Sequence, residues 1–187
     1  MFETVIVEML QQRHYTDIKV HKEILENQDN YNSNITCIDQ NGKNVYVKYM
    51  LIKHKVLHEL KKYLEQFNNV DTENVRLIIV LLKKPTNSFK QKCEKYNIEI
   101  FTLAELQTNI TKHYLVPLHV LITDEHTIKD IFAKYRITNR SSFPEILLSD
   151  PVCRFYGGKP GNIFKIVRIS PVSGKYVSYR HVINLKK

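Results

Sequence analysis

The chain of 187 residues has no tryptophan, only three cysteines, five glycines and six prolines. It has no apolar run approaching the roughly 20 residues that a membrane-spanning helix needs, so no membrane partner is expected. Its start, Met1-Phe2-Glu3-Thr4, puts an acid where a secretory leader is basic, and no small-residue cleavage site follows. An intracellular protein is expected. Cys37, Cys93 and Cys153 are far apart and form no Cys-x-x-Cys pair, which argues against a zinc ribbon. An odd number of cysteines in a reducing compartment reads as free thiols. Internal repeats and low-complexity tracts are absent as well.

What is present is a core and a charge. Hydrophobic residues make up 43% of the chain, enough for one domain or two small ones and too many for a disordered chain. Lys and Arg number 28 against 19 Asp and Glu, a formal charge of +9. Such a balance favours an acidic partner: nucleic acid, a membrane surface or an acidic protein. The basic residues are spread along the chain, which points to a folded basic surface and not a disordered arm. The competing reading is a set of solvated lysines that keep the domain soluble.

The first 108 residues read as a small α/β domain. Phe2, Val5, Ile6, Met9 and Leu10 recur at helical steps, and the helix is expected to end near Arg13-His14-Tyr15. Residues 17–22 are indistinct, and residues 27–34 are polar enough to read as a loop. Ile35 to Asp39 and Val45 to Tyr49 read as strands joined by an Asn41-Gly42 turn. A helix is expected over His54 to Phe67. Val75 to Leu82, apart from Arg76, is a continuous apolar run, the mark of a central strand buried on both faces. Phe89 to Tyr96 reads as a short helix, Ile98 to Phe101 as a strand and Leu103 to Leu106 as a helical turn.

The second part opens with a connector, Thr111 to Pro117. A strand is expected at Val120 to Ile122 and a helix at Thr127 to Tyr135, with a loop at Arg140 to Ser142. Asp150 is placed to cap a helix that has Pro151 at its first position, where a missing amide costs no hydrogen bond. Gly157 and Gly158 stop that helix with left-handed geometry. Asn162 to Arg168 and Lys175 to Ile183 then form a terminal β-hairpin. This unit is dense in basic and aromatic residues: Arg154, Tyr156, Lys159, Lys165, Arg168, Lys175, Tyr176, Tyr179 and Arg180.

Three patterns invite catalysis or ligand binding, and each lacks a part. His54 and His58 have a zinc-binding helical spacing, but no glutamate follows the first histidine and no third ligand is evident. Gly157-Gly158-Lys159-Pro160-Gly161-Asn162 is rich in glycine, but no Ser or Thr follows the lysine to open a helix, as a phosphate loop requires. Asp39 followed by Val45-Tyr46-Val47-Lys48 suggests a metal-dependent nuclease. That site needs an acid two residues before the lysine, and Tyr46 stands there. No catalytic residue, cofactor or metal is therefore expected. The rigid basic loop Lys83-Lys84-Pro85, with Lys90 and Lys92 just after it, is suited to phosphate-backbone contact. Its competing reading is an ordinary solvated turn.

The last eighty or so residues resemble the fifth subunit of the eukaryotic nuclear RNA polymerases and its archaeal RNA polymerase counterpart. The resemblance is carried in order by Asn109-Ile110-Thr111-Lys112-His113 with Leu115-Val116-Pro117-Leu118-His119, then Tyr135-Arg136-Ile137, Pro144-Glu145-Ile146 and Asp150-Pro151-Val152. Lys165-Ile166-Val167-Arg168 and Ser173-Gly174-Lys175-Tyr176-Val177-Ser178-Tyr179-Arg180 complete it. Over residues 1–108 it rests on general layout. Pro160 departs from the usual basic residue, and the loop after Tyr135-Arg136 is slightly long.

The resemblance implies a mixed α/β (α+β) protein with a jaw domain over 1–108 and an assembly domain over 109–187. The jaw would be of a nuclease-like type without catalysis. As a non-catalytic subunit, one copy per polymerase, the chain would dock its C-terminal half on the largest subunit and hold the jaw near downstream DNA. The expected polymerase interface is Asp150, Pro151, Arg154, Tyr156, Lys165, Arg168, Tyr179 and Arg180. The DNA-facing set is Lys83, Lys84, Pro85, Lys90 and Lys92. Richness in Lys, Asn and Ile suits an AT-rich genome and hence a large-DNA-virus polymerase; the site of action would be the nucleus if cellular, the virion or host cytoplasm if viral. Two alternatives stay open: a stand-alone basic DNA-binding protein, and a nuclease relic dependent on Asp39.

Overall fold

The computed structural model describes residues 2–24, 31–50, 75–170, 172 and 174–184. The expected helix over 54–67, with His54 and His58, lies outside them. The chain divides into two compact units, Met1–Thr108 and Asn109–Lys187.

In the first unit, helix α1 (Phe2–Gln12) buries Val5, Ile6, Met9 and Leu10, the face set by their three- and four-residue steps. The strands are β1 (Thr16–Ile24), β2 (Tyr31–Ile38), β3 (Asn44–Met50), β4 (Val75–Leu81) and β5 (Glu99–Thr102). They lie side by side in sequence order. The first two pairings are antiparallel and the last two parallel, so the sheet is mixed. β4 is inside the sheet, and Leu77 through Leu81 are all buried, as its unbroken apolar run requires. Helix α2 (Asn87–Lys95) seats Phe89 and Cys93 against Met50, Leu77, Ile79, Leu81 and Ile98.

The second unit is a four-stranded sheet in the order β6-β8-β9-β7. Its strands are β6 (Leu118–Ile122), β7 (Glu145–Leu147), β8 (Ile163–Ser170) and β9 (Gly174–Ile183). β7 runs parallel to β9, and the other pairs are antiparallel. Neighbouring residues on a strand point to opposite faces, and here each face has its own helix. Ile163 packs with Ile128 and Ile131 of α3 (Glu125–Tyr135) and with Phe143. Phe164 and Ile166 pack with Ile146, Val182 and Cys153 of α4 (Pro151–Phe155). Asp124 caps α3 through the Thr127 amide at 2.7 Å, and Arg136 ends it in a left-handed turn at φ 52°.

Several expectations change. Residues 17–22 belong to β1, and Tyr31 to Asn34, read as loop, belong to β2. β1 is the edge strand of the sheet, and Asp17, Lys19, Val20 and His21 on it are exposed, so main-chain pairing rather than apolar alternation makes it a strand. The first residues of β2 join the sheet through the same pairing with β1. Arg140–Ser142 forms one 3-10 turn. β7, a three-residue strand, has no counterpart among the sequence-based expectations. The terminal hairpin is present, but β6 and β7 flank it, so it is the middle of a sheet.

Candidate functional site

The turn from β7 into α4 is fixed by local chemistry. The Asp150 Oδ1 accepts the backbone amides of Val152 at 2.8 Å and Cys153 at 3.3 Å, and Pro151 takes the first helical position. After Tyr156 the chain turns at Gly157, φ 68°, which a side chain rarely adopts. At Gly158 a Cβ would lie 2.7 Å from the Cys153 Sγ and 3.2 Å from the Phe164 ring. Burial, with the Asp150 charge adding to it, pushes the Cys153 thiol up to about 12. Tyr156 stacks edge-on against Phe155 and Phe164, and its hydroxyl hydrogen-bonds the Thr111 side chain. Thr111 is held in turn by the Asn109 cap, 3.0 Å from its amide. The motif at 109–113 is thereby tied to the motif at 150–156.

Asp150 and Pro151 line an open cleft of about 380 Å³ together with Glu145, Ile146, Leu147, Ser149 and Arg180. The Arg180 Nη1 donates to the Glu145 carbonyl at 3.5 Å. Three of the predicted interface residues, Asp150, Pro151 and Arg180, thus come together although thirty residues separate the ends. Arg168 is on the same sheet face: Phe164 pairs with Arg180 and Arg168 with Tyr176. His119 lies on this face too, opposite Ile166, and donates from Nδ1 to the Pro117 carbonyl at 2.7 Å. Burial lowers its pKa below the usual value, and Arg168 and Arg180 act in the same direction against Asp150.

The other predicted residues separate from this group. Lys165 and Tyr179 pair with each other on the opposite face. The Tyr179 ring lies 5.4 Å from Tyr135 and 5.7 Å from Phe143, which makes it part of the packing under α3. Arg154 is half-buried on α4 and Tyr156 packs into the core cluster. Glu145 is the residue that sequence reasoning missed. Its strand is too short to show a period, and only the Pro144-Glu145-Ile146 motif marked the place.

In the first unit Lys83 and Lys84 are exposed and Pro85 is half-buried where β4 ends. The Thr86 hydroxyl then caps α2 through the Phe89 amide at 3.4 Å. Lys90 and Lys92 are both exposed, but two residues turn a helix by about 200°, so they flank it on opposite sides. Lys95, not anticipated, is within about 60° of Lys92 by the same geometry.

Asp39 is occupied structurally. Its Oδ1 accepts the amides of Asn41 and Lys43, both at 2.8 Å, which closes the β2–β3 turn. Its Oδ2 faces the Arg76 Nε at 3.3 Å, and the carboxylate is buried. Tyr46 packs against the core cluster beneath α2. Among the described residues no three His, Cys, Asp or Glu side chains come together in a metal-binding group, and no helix is long and apolar enough to cross a membrane.

Residues 108–182 match the family described as RNA polymerase Rpb5, C-terminal domain. The match to a whole protein extends further. The Dictyostelium discoideum protein named DNA-directed RNA polymerases I, II, and III subunit rpabc1 is 32% identical over 185 residues, 94% of this chain and 92% of its own length. The chain belongs to the Rpb5 family of DNA-directed RNA polymerase subunits. Rpb5 relatives from Caenorhabditis elegans and Caenorhabditis briggsae, both named as subunit RPABC1 of polymerases I, II and III, are each 41% identical over 112 residues. Those alignments cover 58% of this chain and 52% of each relative. Among solved structures, EndoMS in apo form is 18% identical over 54% of this chain and 45% of its own, with a TM-score of 0.37, too low to define a shared fold.

Proposed function

We propose that the chain works as a structural, non-catalytic part of a multisubunit RNA polymerase, with residues 109–187 as the assembly module and residues 1–108 as the jaw. The assembly module docks on the largest subunit through the face that carries Arg168, Arg180 and the Asp150–Pro151 corner. Nucleotidyl transfer belongs to the large subunits. The jaw places Lys83, Lys84 and the Lys92–Lys95 side of α2 beside the downstream duplex, where they contact phosphates without reading sequence. One copy serves each polymerase, and the chain acts where that polymerase acts: the nucleus of a cell, or the virion or host cytoplasm for a virus.

The observation that supports docking most is the cleft itself. It gathers an arginine, a helix-capping aspartate and a glutamate strand at an open surface. Arginine at such a place is the side chain that interfaces favour, because its planar donor fork meets a carboxylate in two bonds. The role of Asp39 supports the absence of cleavage, since its carboxylate holds the turn and Arg76. The test is Arg180→Glu in the full chain, followed by recovery of the assembled polymerase. Incorporation is expected to fall at least about tenfold, which corresponds to roughly 1.4 kcal/mol. Unchanged incorporation removes Arg180 from the interface.

A further inference from the structure

β7 begins at Glu145, and Pro144 before it has no amide hydrogen with which to lengthen the ladder. Its carbonyl still accepts the His181 amide at 3.0 Å. β7 therefore pairs only with His181, Val182 and Ile183, whereas β9 begins at Gly174. Among the described residues, no strand lies along the outer edge of β9 from Lys175 to Tyr179.

The direction of the main-chain groups on that edge follows from two bonds. The His181 amide points outward to Pro144, and the Val182 amide points inward to the Asn162 carbonyl at 2.9 Å. Direction alternates along an antiparallel ladder, and the β8–β9 register has no shift. Lys175, Val177 and Tyr179 therefore turn their amides and carbonyls outward, while Tyr176, Ser178 and Arg180 bond to β8. The outward set also shares a sheet face with an apolar row, Leu118–Val167–Val177, that crosses three strands. Leu118 is 61% exposed and Ile169, on the same face, 91%.

We infer that this edge receives an extended segment of a neighbouring polymerase subunit, which adds to the sheet as a fifth strand in line with β7. The inference rests on the proposed docking of the second unit. A row of alternate outward amides and carbonyls is met in full only by another main chain, and such pairing supplies affinity while the side chains select the partner. The segment places an apolar side chain beside Val177, continuing the row. It carries carboxylates near Lys175 on one face and near Arg180 on the other. Natural proteins blunt open edges with proline, charge or bulges; from Gly174 to Arg180 this edge has no proline and no bulge, and its charges are Lys175 and Arg180, one on each sheet face.

The test is residue-resolved amide hydrogen exchange on the full chain, alone and within the intact polymerase. In the isolated chain Tyr176, Ser178 and Arg180 exchange slowly and Lys175, Val177 and Tyr179 quickly. In the polymerase the second set slows by about tenfold or more. Fast exchange of that set in the assembled enzyme overturns the inference. So does slowing in the isolated chain that rises with its concentration, because the occupant is then a second copy. A chain that never co-purifies with large subunits is a separate failure: it removes the docking reading, and the inference with it. As a second probe, Val177→Pro deletes one outward amide and leaves the inward bonds. Provided Tyr176 and Arg180 stay protected, incorporation falls; incorporation at the wild-type level contradicts the added strand.

Discussion

Arg13 and Glu99, 86 positions apart, meet as a two-pronged ion pair: Nη1 donates to Oε1 at 3.2 Å and Nη2 to Oε2 at 2.8 Å. The arginine side chain is 2% exposed and the glutamate 34%. The guanidinium carbon lies 6.0 Å from the centres of both the Tyr15 and Phe101 rings. The pair ties the end of α1 to the edge strand β5, so the first unit is closed by a contact between its two ends.

Removing the glutamate takes the carboxylate away from a buried cation. Glu99→Ala is expected to destabilise the first unit by about 2–4 kcal/mol, less than a fully buried pair because Glu99 is partly hydrated. Arg13→Met in the same background is expected to recover part of that loss, since the buried charge is then gone. Urea unfolding of the single and double variants measures this, and strict additivity would show that the two side chains do not interact.

Gly158 is held by space more than by backbone angle. A Cβ there would press on the Cys153 sulfur at 2.7 Å, the Phe164 ring at 3.2 Å and the Cys153 carbonyl at 3.3 Å. Gly158→Ala is expected to cost about 1–3 kcal/mol, read from the thermal unfolding of the second unit. Gly161→Ala is the comparison: nothing lies within 4 Å of its added Cβ, and its cost arises from φ +89° alone.

Much of this unit was legible because its signals are local. Asp150, Pro151 and Gly157 each act within a few residues, and cap, first-turn proline and left-handed stop are written in adjacent positions. The buried run of β4 was legible for the same reason. β1 and the start of β2 were not, since β1 is an edge strand and residues 27–34 are a polar run, so neither shows the apolar alternation that marks a half-buried strand. The spacing of Lys165 and Arg168 does imply opposite faces of β8, because three is an odd number of strand residues. What no local pattern contains is register. Only the pairing of β7 with β9 brings Glu145 and Arg180 together, and only the fold brings Arg13 to Glu99.

His119 gives the second unit a pH dependence. Burial lowers its pKa below the ordinary 6.5; the charges of Arg168 and Arg180 add to this, and Asp150 and the Pro117 carbonyl oppose it. The folded state thus favours the neutral ring. Its contribution is complete above the unfolded value and is lost as pH falls through the lowered folded value. Stability is expected to decline on acidification below about pH 6.5, and His119→Gln is expected to flatten that part of the curve. Equal slopes in both proteins would place the dependence elsewhere.

Lys83 and Lys84 are expected to touch phosphates, so their effect should depend on salt. Removing one phosphate-binding cation reduces the log–log salt slope of duplex binding by about 0.9. Lys83→Gln with Lys84→Gln is therefore expected to lower the slope by about 1.8 and to weaken binding equally on unrelated sequences. Fluorescence anisotropy with two duplexes measures both quantities. An unchanged slope leaves the loop as a solvated turn.

The most direct measurement is purification of the tagged full chain from its native source at moderate salt, with the stoichiometry of the chains that accompany it. The account predicts one copy for each pair of very large subunits, in a complex that synthesises RNA from a DNA template. Recovery of the chain alone, or with DNA and no large subunits, would contradict it and favour a stand-alone DNA-binding protein.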